Sequence, residues 1–524
     1  MSILLSTLNA RFSHASLGLR YLMANMGQLA PITQLQEFVI GIRAADAVEK
    51  LLAHQPRIIG FGVYIWNVEE LTHIVALLKR VAPEVIIILG GPEVSYEPEE
   101  QAIVKLADYV VTGWGDISFT QLCAALIHGP KPLMKIHAGE QPPMDKIAFP
   151  YAHYSALDIA HRTVYIEASR GCPFKCEFCL SALDKTTWPF PLEALLAELE
   201  QMYARGVRVF KFVDRTFNLH IATSKRILQF FLDKLEANPT DRVFAHFELV
   251  PDHLPESLKE SVQLFPEGTL QFEIGIQTFN VEVQRLISRK QNNDKAMENL
   301  RWLRTQSNAH LHVDLIAGLP GEDAESFARG FDQLVSLQPH EIQMGILKRL
   351  RGAPISRHTK NYELVFDPAP PYSILSTDRI AFTMMQRLVR FARYWDLVAN
   401  SGRFKTLLPA LLADSPFARF LAMSDWLYAK TDATHRISPE RLAGLLNEWL
   451  ELNDKQTVSV SPTLSRVDVS PPAALSSAPA TQRQQRHQAA LPSTDERQAS
   501  IKPSAASLKD DIGSTRARSK IINA

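Results

Sequence analysis

The sequence predicts an α/β protein in which a doubly wound parallel-sheet domain is followed by a partial barrel of strand–helix units. Two runs of apolar strands alternating with amphipathic helices, separated by a proline-containing stretch, carry this prediction. Strands that alternate with helices favour parallel sheets covered by helices. The chain has 524 residues, which is long enough for several such domains.

The first run occupies residues 1–135, for which we predict one doubly wound domain. Each predicted strand is short and rich in β-branched residues, and a helical pattern follows it, as at 69–80 and 117–127. A domain of this kind binds its ligand at the carboxyl ends of the strands. The predicted strands are 2–10, 35–42, 57–66, 85–91 and 108–115.

The second run predicts an open (β/α)6 barrel over 161–365, with its chemistry again at the carboxyl ends of the strands. Residues 136–160 contain several prolines and no clear period, and we predict a linker there. Residues 372–453 have the apolar spacing of helices throughout, which predicts a helical C-terminal domain over 366–455. The predicted barrel strands are 164–169, 207–214, 243–250, 269–279, 310–319 and 341–350.

The composition excludes some classes of protein. It is 46% hydrophobic and 21% charged, which is typical of a globular protein. The formal net charge of 0 argues against broad electrostatic binding to nucleic acid or anionic membrane. With no apolar run of membrane-spanning length and no export signal, we expect a cytoplasmic protein without a membrane span. Residues 456–524 are dominated by Ser, Ala, Pro and Gln, and we predict a disordered tail.

Three of the four cysteines lie in one short loop after the first predicted barrel strand. Cys172, Cys176 and Cys179 have the spacing Cys-x3-Cys-x2-Cys, and such thiolates bind a soft metal or an iron–sulfur cluster. A structural zinc site would need a fourth ligand, and a disulfide framework would need an even, dispersed set of cysteines. The remaining cysteine, Cys123, is predicted to be a buried helix residue.

The cysteine loop, with Phe178 before its last cysteine, resembles the signature of the radical S-adenosylmethionine (SAM) enzymes. The resemblance implies a [4Fe-4S] cluster whose open iron is chelated by SAM, with Phe178 beside the adenine. Glu273 and Gln277 lie in a motif that resembles the fourth-strand motif near the ribose and methionyl portion of SAM. Gly318 and Leu319 lie in one that resembles the fifth-strand turn against adenine. The alternatives are that Gly318 makes room for helix packing and that Gln277 bonds local backbone.

Four further polar residues lie in the predicted barrel strands. Asp214 ends the second strand and Glu248 lies in the third, where they could orient SAM or substrate or could cap the following helices. His246 and His312 lie inside strands and are predicted to be core histidines.

The doubly wound domain ahead of this barrel resembles the cobalamin-binding class of the radical SAM superfamily, on residues 60–67, 89–98 and 111–116. The resemblance implies cobalamin at the strand ends, although no Asp-x-His-x-x-Gly motif supplies a histidine ligand to cobalt. The alternative is a scaffold domain or one that binds another nucleotide, although no dinucleotide fingerprint follows the first strand. The residues expected at cobalamin are Asn9, Tyr64, Trp66, Asn67, Gly90, Gly91, Gly113 and Trp114.

The pattern over roughly residues 1–455 resembles a bacterial family of cobalamin-binding radical SAM proteins with an uncharacterised C-terminal domain. The resemblance implies an enzyme that generates a 5′-deoxyadenosyl radical and transfers a methyl group to an unactivated carbon of an unidentified small molecule. Its electron donor would be a flavodoxin- or ferredoxin-type protein. The alternatives are oxidative cyclisation or rearrangement of a small molecule, and a non-catalytic cobalamin-binding or maturation protein. We expect no nucleic-acid partner, since no basic, aromatic-interleaved patch is found.

Overall fold

The computed structural model describes residues 2–184 and 186–454, and the predicted tail lies outside these described residues. The N-terminal part alternates strands with helices as predicted. Its strands are β1 (Ser2–Asn9), β2 (Thr33–Val39), β3 (Pro56–Gly62), β4 (Ile86–Gly90), β5 (Tyr109–Gly113) and β6 (Ile136–Gly139). Its helices are α1 (Leu17–Ala24), α2 (Ala44–Leu52), α3 (Val68–Val81), α4 (Ala102–Leu106) and α5 (Ser118–His128).

These strands form one parallel sheet with the order β2-β1-β3-β4-β5-β6. Both faces of the sheet are covered, which explains why β1 is buried at nearly every position. Leu4 and Leu8 belong to the core under α2 and α3, whereas Ile3 and Leu5 belong to the core under α1 and α5. The strand order reverses between β1 and β3, which marks the crevice where ligands of doubly wound domains bind. The predicted fold class is confirmed for this part.

The structure differs from the sequence-based prediction between 136 and 160. The predicted linker begins with β6, which pairs in parallel with β5 and completes the N-terminal sheet. The four residues of β6, Ile-His-Ala-Gly, are too short and too polar to produce a recognisable strand pattern. Helix α6 (Ala156–His161) follows before the barrel.

The barrel part contains six parallel strands among the described residues, in the order β7-β10-β11-β12-β13-β14. A short antiparallel hairpin, β8–β9, interrupts it after the first strand. The strands are β7 (Val164–Ile166), β8 (Ser169–Gly171), β9 (Thr187–Pro189), β10 (Val209–Phe212), β11 (Phe244–Leu249), β12 (Leu270–Gln277), β13 (His310–Ala317) and β14 (Glu341–Ile346). The helices are α7 (Leu192–Ala204), α8 (Ile221–Ala237), α9 (Glu256–Gln263), α10 (Val281–Leu286), α11 (Asn293–Gln306) and α12 (Ala324–Ser336).

The barrel sheet is open between β7 and β14, as predicted for six units rather than eight. Its helix-facing side is an aromatic core in which the rings of Phe212, Phe217 and Phe247 pack together, with Phe217 and Phe247 stacked at 3.9 Å. The opposite, concave face carries charged residues. The predicted partial barrel is therefore confirmed, with shorter strands than the patterns suggested.

The C-terminal segment is not helical throughout, which corrects the prediction for 372–453. An antiparallel hairpin of β15 (Val365–Phe366) and β16 (Ile374–Ser376) comes first, since the prolines at 370 and 371 exclude a helix between these two strands. The helices that follow are α13 (Phe382–Val398), α14 (Leu408–Leu412), α15 (Pro416–Thr431) and α16 (Pro439–Asp454).

These helices complete the barrel at its open edge. Asn400, just after α13, donates to the carbonyl of Ile342 at 2.9 Å and accepts from its amide at 3.1 Å, so it occupies the edge of β14. Helices α13 and α15 extend the barrel core through Phe391, Trp395 and Phe420. None of the helices in the described residues is both long and apolar enough to cross a membrane.

Candidate functional site

The three clustered cysteines lie between β8 and β9, directly after the first barrel strand. Cys172 and Cys176 are buried and Cys179 is half-buried, and all three are free thiols. The turn begins at Gly171, whose φ is +81°, and a Cβ there would lie 2.3 Å from the carbonyl oxygen of Thr186. Only glycine fits this position, so the sequence sets the start of the cysteine loop.

Cationic side chains surround the cysteine loop. Burial raises the pKa of Cys172 to about 11, and the other two thiols raise it further while Arg215 lowers it. Burial also raises the pKa of Cys176, against the influence of Arg289, whose Nη1 donates to Sγ of Cys176 at 3.5 Å. The thiols of Cys172 and Cys176 therefore resist ionisation until a cation binds them. This donor set fits an iron–sulfur cluster.

No group of three His, Cys, Asp or Glu side chains in the described part of the chain has the geometry of a site for one metal ion. The thiols nevertheless interact with one another electrostatically. In a cluster each thiolate binds a different iron, so the three sulfurs need not converge on one point.

The concave face of the barrel carries polar and charged contacts that join neighbouring strands. Glu273 on β12 lies 3.7 Å from Nζ of Lys211 on β10 and 3.2 Å from Nε2 of His246 on β11. Burial alone would raise the pKa of Glu273, but His246 and Lys211 hold it well below its usual value. His312 on β13 lies between Asp314, at 3.1 Å, and Glu341, at 3.3 Å.

Both predicted core histidines are buried, His246 at 2% and His312 at 3% exposure. Burial lowers the pKa of His246 to about 4, which keeps its imidazole neutral, whereas two carboxylates hold the pKa of His312 well above its usual value. Their burial in strands agrees with the prediction, and their carboxylate partners are what the sequence did not show.

Asp214 and Glu248, for which the sequence left two roles possible, lie in different environments. Asp214 accepts from the amide of Ala168 at 2.9 Å and from Oγ of Ser169 at 2.6 Å, which joins β10 to the start of the cysteine loop. Glu248 accepts two hydrogen bonds, at 2.8 and 3.1 Å, from Nη1 of Arg215. Burial raises the pKa of Asp214 to about 6. Neither carboxylate caps a helix.

The residues predicted to contact SAM fall into two groups. Glu273 and Gln277 lie on β12, and Oε1 of Gln277 is a buried oxygen without a hydrogen-bond partner among the described residues. Such an orphaned acceptor fits a polar ligand at the end of β12. Phe178 is half-buried against the core.

Gly318 and Leu319 form the second group and face protein. A Cβ on Gly318 would lie 2.6 Å from Cγ2 of Ile374 and 3.0 Å from Cε of Met385. Leu319 is 0% exposed. The space beside Gly318 is therefore filled by β16 and α13, which supports the alternative that this glycine makes room for helix packing.

A cavity of 490 Å³ lies between the strand ends of the N-terminal sheet and the first barrel strands. This volume is within the range of ligand pockets. The N-terminal wall is rich in glycine, and the opposite wall includes Glu167, the segment 169–171, Val213 and Arg215. The glycines of the N-terminal wall include Gly18, Gly60, Gly62, Gly90, Gly91 and Gly113.

The glycine lining brings backbone close to any ligand. The nearest atom to a Cβ on Gly90 would be the carbonyl oxygen of Val111, 3.6 Å away, so a side chain there would fill free space. Gly91 has φ +108°, and its Cβ would lie 2.6 Å from the carbonyl oxygen of Val63. A cradle that side chains would fill fits a large flat ligand such as the corrin of cobalamin.

The structure separates the residues predicted to bind cobalamin into a lining set and a supporting set. Asn67 donates to Oγ1 of Thr7 and to the carbonyls of Leu8 and Gly62. The residues that line the cavity are Tyr64, Gly90, Gly91, Gly113 and Trp114. Those that do not line it are Asn9, Trp66 and Asn67.

Trp66 and Asn67 do not line the cavity but contact Tyr64, which does. The indole of Trp66 stacks on Tyr64 at 4.5 Å and donates to the carbonyl of Leu8. Asn67 accepts from the amide of Tyr64 at 2.8 Å. They therefore hold Tyr64 in place from behind the cavity wall.

Sequence reasoning missed several charged residues of the site. Arg170 and Asp116 line the cavity, and Arg289 contacts Cys176. Arg170 stands two residues before the first cysteine, inside the motif already recognised, but its partner Asp116 is 54 positions away. A pairing over that separation has no signal in a single sequence.

Comparison with known proteins identifies three domains. The B12 binding domain model matches residues 5–123, the radical SAM superfamily model matches 166–334, and the model of a protein family of unknown function, DUF4080, matches 360–496. Part of the last match lies outside the described residues. The cofactors of the first two domains are cobalamin and a [4Fe-4S] cluster with SAM, as the sequence predicted.

Curated relatives include methyltransferases. The chain is 26% identical over 246 residues to the uncharacterized methyltransferase PH0819 of Pyrococcus horikoshii, covering 41% of this chain and 53% of that protein. It is 25% identical over 342 residues to the cobalamin-dependent radical SAM methyltransferase TokK of Streptomyces tokunonensis, covering 56% and 47%. The chain thus spans about half the length of the curated relatives it matches.

Two solved structures share the fold. The cobalamin-dependent SAM radical enzyme OxsB, with aqua-cobalamin and SAM bound, superposes with a TM-score of 0.61 at 14% identity, covering 88% of this chain and 82% of OxsB. The radical SAM methyltransferase TsrM of Kitasatospora setae, with cobalamin and a [4Fe-4S] cluster bound, gives 0.56 at 17% identity, covering 70% and 80%. These likenesses confirm the predicted fold class.

Proposed function

Since the chain combines a B12-binding domain, a radical SAM domain and a DUF4080 domain, we propose that it is a cobalamin-dependent radical SAM methyltransferase. Its acceptor would be an unactivated carbon of a small molecule. When bound, the cluster with SAM supplies a 5′-deoxyadenosyl radical that removes a hydrogen atom from the substrate, and cobalamin supplies the methyl group.

The cavity between the two domains carries this proposal. One wall is the glycine-lined end of the N-terminal sheet, and the opposite wall includes Ser169, Arg170 and Gly171, which lead directly into Cys172. The backbone that leads into the cysteine loop therefore borders the same cavity as the predicted cobalamin site. Methyl transfer would need the sites of the two cofactors to lie close together.

Each group of residues would have a role set by its position in the fold. The three thiols would hold the cluster at the end of β7, and Arg289 and Arg215 would offset their negative charge. Glu273 and Gln277 at the end of β12 would bind SAM. Backbone at Gly90 and Gly91 would lie against the corrin, and Tyr64 would close that side of the cavity. Burial of the cysteine loop would exclude water from a reactive intermediate.

Two expectations about the surroundings of the enzyme stay predictions. A flavodoxin- or ferredoxin-type protein would supply the electron that reduces the cluster. An oxygen-sensitive cluster suits a reducing compartment such as the cytoplasm.

The experiment uses SAM with a trideuterated methyl group. Reconstituted protein is incubated under reducing, anaerobic conditions with a small-molecule extract, and products are searched by mass spectrometry for the retained label. A labelled product together with 5′-deoxyadenosine supports methyl transfer. 5′-Deoxyadenosine without a labelled product argues against methyl transfer, and cyclisation or rearrangement would then require an unlabelled product that depends on the enzyme. The matched control is Cys176→Ala, which should form neither product.

A further inference from the structure

Arg170 joins the two domains at the cavity. Its Nη1 and Nη2 donate to the two carboxylate oxygens of Asp116 at 2.7 and 3.1 Å, and its Nε donates to Glu167 at 2.8 Å. Asp116 belongs to the loop after β5 of the N-terminal sheet, whereas Arg170 and Glu167 belong to the barrel. A two-point guanidinium–carboxylate contact fixes orientation as well as distance.

Three aromatic rings make cation–π contacts with the guanidinium of Arg170. It lies 4.6 Å from the ring centre of Tyr21, 4.9 Å from that of Trp114 and 5.6 Å from that of Phe190. Tyr21 and Trp114 come from the N-terminal domain, and Phe190 follows β9. Cation–π contacts on three sides leave the side chain little freedom to move independently of these elements.

The contacts of Arg170 connect the cavity to the cysteine loop. Arg170, Asp116, Trp114 and Glu167 all line the cavity. Arg170 itself lies on β8, two residues before Cys172. A displacement of the loop after β5 by a ligand would therefore move the backbone that leads into the first cysteine.

We propose that Arg170 is a positioning residue that couples ligand binding in the glycine-lined cavity to the geometry of the cysteine loop. The inference rests on the proposed function, because it takes cobalamin as the ligand of the cavity and an iron–sulfur cluster as the ligand of the loop. Coupling between two binding sites is reciprocal, so each cofactor raises the affinity for the other by the same factor.

The experiment measures that factor by titrating hydroxocobalamin into the full chain with and without a reconstituted cluster. Wild-type protein should bind hydroxocobalamin about tenfold more tightly with the cluster, a factor within the usual range of such couplings. Arg170→Met should bind it equally in both states, since the unbranched side chain keeps the bulk and loses the ion pair. Arg170→Lys should show an intermediate factor, because its point charge cannot make the two-point contact.

Arg349→Met is the matched control. Arg349 also forms an ion pair between the barrel segment and the N-terminal domain, 2.8 Å from Glu97, but it does not line the cavity or adjoin a cysteine. This variant should keep the wild-type factor. Equal loss in Arg349→Met would overturn the proposal, because it would indicate a general effect of domain docking.

A second measurement separates positioning from folding. Electron paramagnetic resonance of the reduced cluster should change when hydroxocobalamin is added to wild-type protein, and it should stay unchanged in Arg170→Met at saturating hydroxocobalamin. If Arg170→Met shows the wild-type coupling and the wild-type spectral change, the proposal is wrong although the proposed function stands. If wild-type protein binds no hydroxocobalamin, the proposed function fails and the inference fails with it.

Discussion

Glu177, which lies between the second and third clustered cysteines, accepts a hydrogen bond at 2.8 Å from Nε2 of His358, a residue 181 positions further along the chain. Its other carboxylate oxygen accepts from Oγ of Ser288 and from Arg357. His358 ends the short helical turn that follows β14, so these contacts join the loop after the first barrel strand to the segment after the last. The open side of the barrel is closed there by hydrogen bonds instead of by strand pairing.

Replacing Glu177 with glutamine should therefore weaken the cysteine loop. Glu177→Gln keeps the shape but removes the charge that Arg357 and His358 contact, at a cost of about 2 kcal/mol in the free energy of unfolding. The bound iron per chain after anaerobic reconstitution should fall in parallel. The control is Glu193→Gln, since Glu193 forms only an exposed pair with Arg226 at 2.9 Å. Full iron content in Glu177→Gln would show that the loop is held by other contacts.

Two adjacent glycines should respond differently to alanine. Gly91→Ala places a Cβ 2.6 Å from the carbonyl of Val63 on a residue with φ +108°, and should lower the free energy of unfolding by about 3 kcal/mol. Gly90→Ala meets no atom closer than 3.6 Å and should fold normally. It should nevertheless weaken hydroxocobalamin binding about tenfold, because the methyl group occupies space at the edge of the cavity. Unchanged binding by Gly90→Ala would contradict the cradle assigned to this strand end.

Gly318 should prove to be a packing residue. Gly318→Ala combines a φ of +89° with contacts of 2.6 Å to Ile374 and 3.0 Å to Met385. Gly206 has a φ of +98° and no atom within 4 Å of its Cβ position, so Gly206→Ala measures the backbone strain alone. We expect Gly318→Ala to lower the free energy of unfolding by about 2 kcal/mol more than Gly206→Ala does. If chemical denaturation shows the same loss of unfolding free energy in both variants, Gly318 is not a packing residue, and it would again be a candidate for SAM binding.

Glu322 should make stability depend on pH. Burial raises its pKa to about 7, although Thr278 donates to Oε1 at 2.6 Å. An acid whose pKa is raised by folding contributes its stability below its unfolded pKa of about 4.3, and this contribution is lost as the pH rises toward 7. Wild-type protein without cofactors should therefore lose about 3 kcal/mol relative to Glu322→Gln between pH 4.5 and 8.

The control for Glu322→Gln is a substitution of an exposed glutamate nearby in the sequence. Glu325 forms a surface pair with Arg329 at 3.0 Å, and Glu325→Gln should show the same pH dependence as wild-type protein in urea unfolding. A Glu322→Gln variant whose stability follows that of wild-type protein across this pH range would show that the carboxylate is ionised throughout.

The sequence predicted most strands of both parallel sheets, because each is short and rich in apolar residues and is followed by an amphipathic helix. It did not predict β6, since four residues carry no pattern, or the hairpin that precedes α13. It identified Cys172, Cys176 and Cys179 because their spacing is local. Asp116 lies 54 positions from Arg170 and His358 lies 181 positions from Glu177, and only the folded chain brings these pairs together.

The position of a residue at a strand end also does not tell whether its side chain lines the cavity or supports a residue that does. Tyr64 and Trp66 are two residues apart on the same segment, yet only Tyr64 lines the cavity while Trp66 stacks behind it. The direction of each side chain in a turn depends on backbone geometry that the residue types do not set. For the same reason, the packing of Gly318 against Ile374 could not be read from a glycine-containing motif.

The measurement that tests the central claim most directly is iron and cobalt analysis of protein reconstituted anaerobically with iron, sulfide and hydroxocobalamin. Wild-type protein should hold about four irons and about one cobalt per chain, since the three thiols fit a [4Fe-4S] cluster and the glycine-lined cavity fits one cobalamin. In Cys172→Ala, iron should be lost while cobalt binds more weakly. Four irons without retained cobalt in wild-type protein would contradict the account, because the glycine-lined cavity would then bind something other than cobalamin.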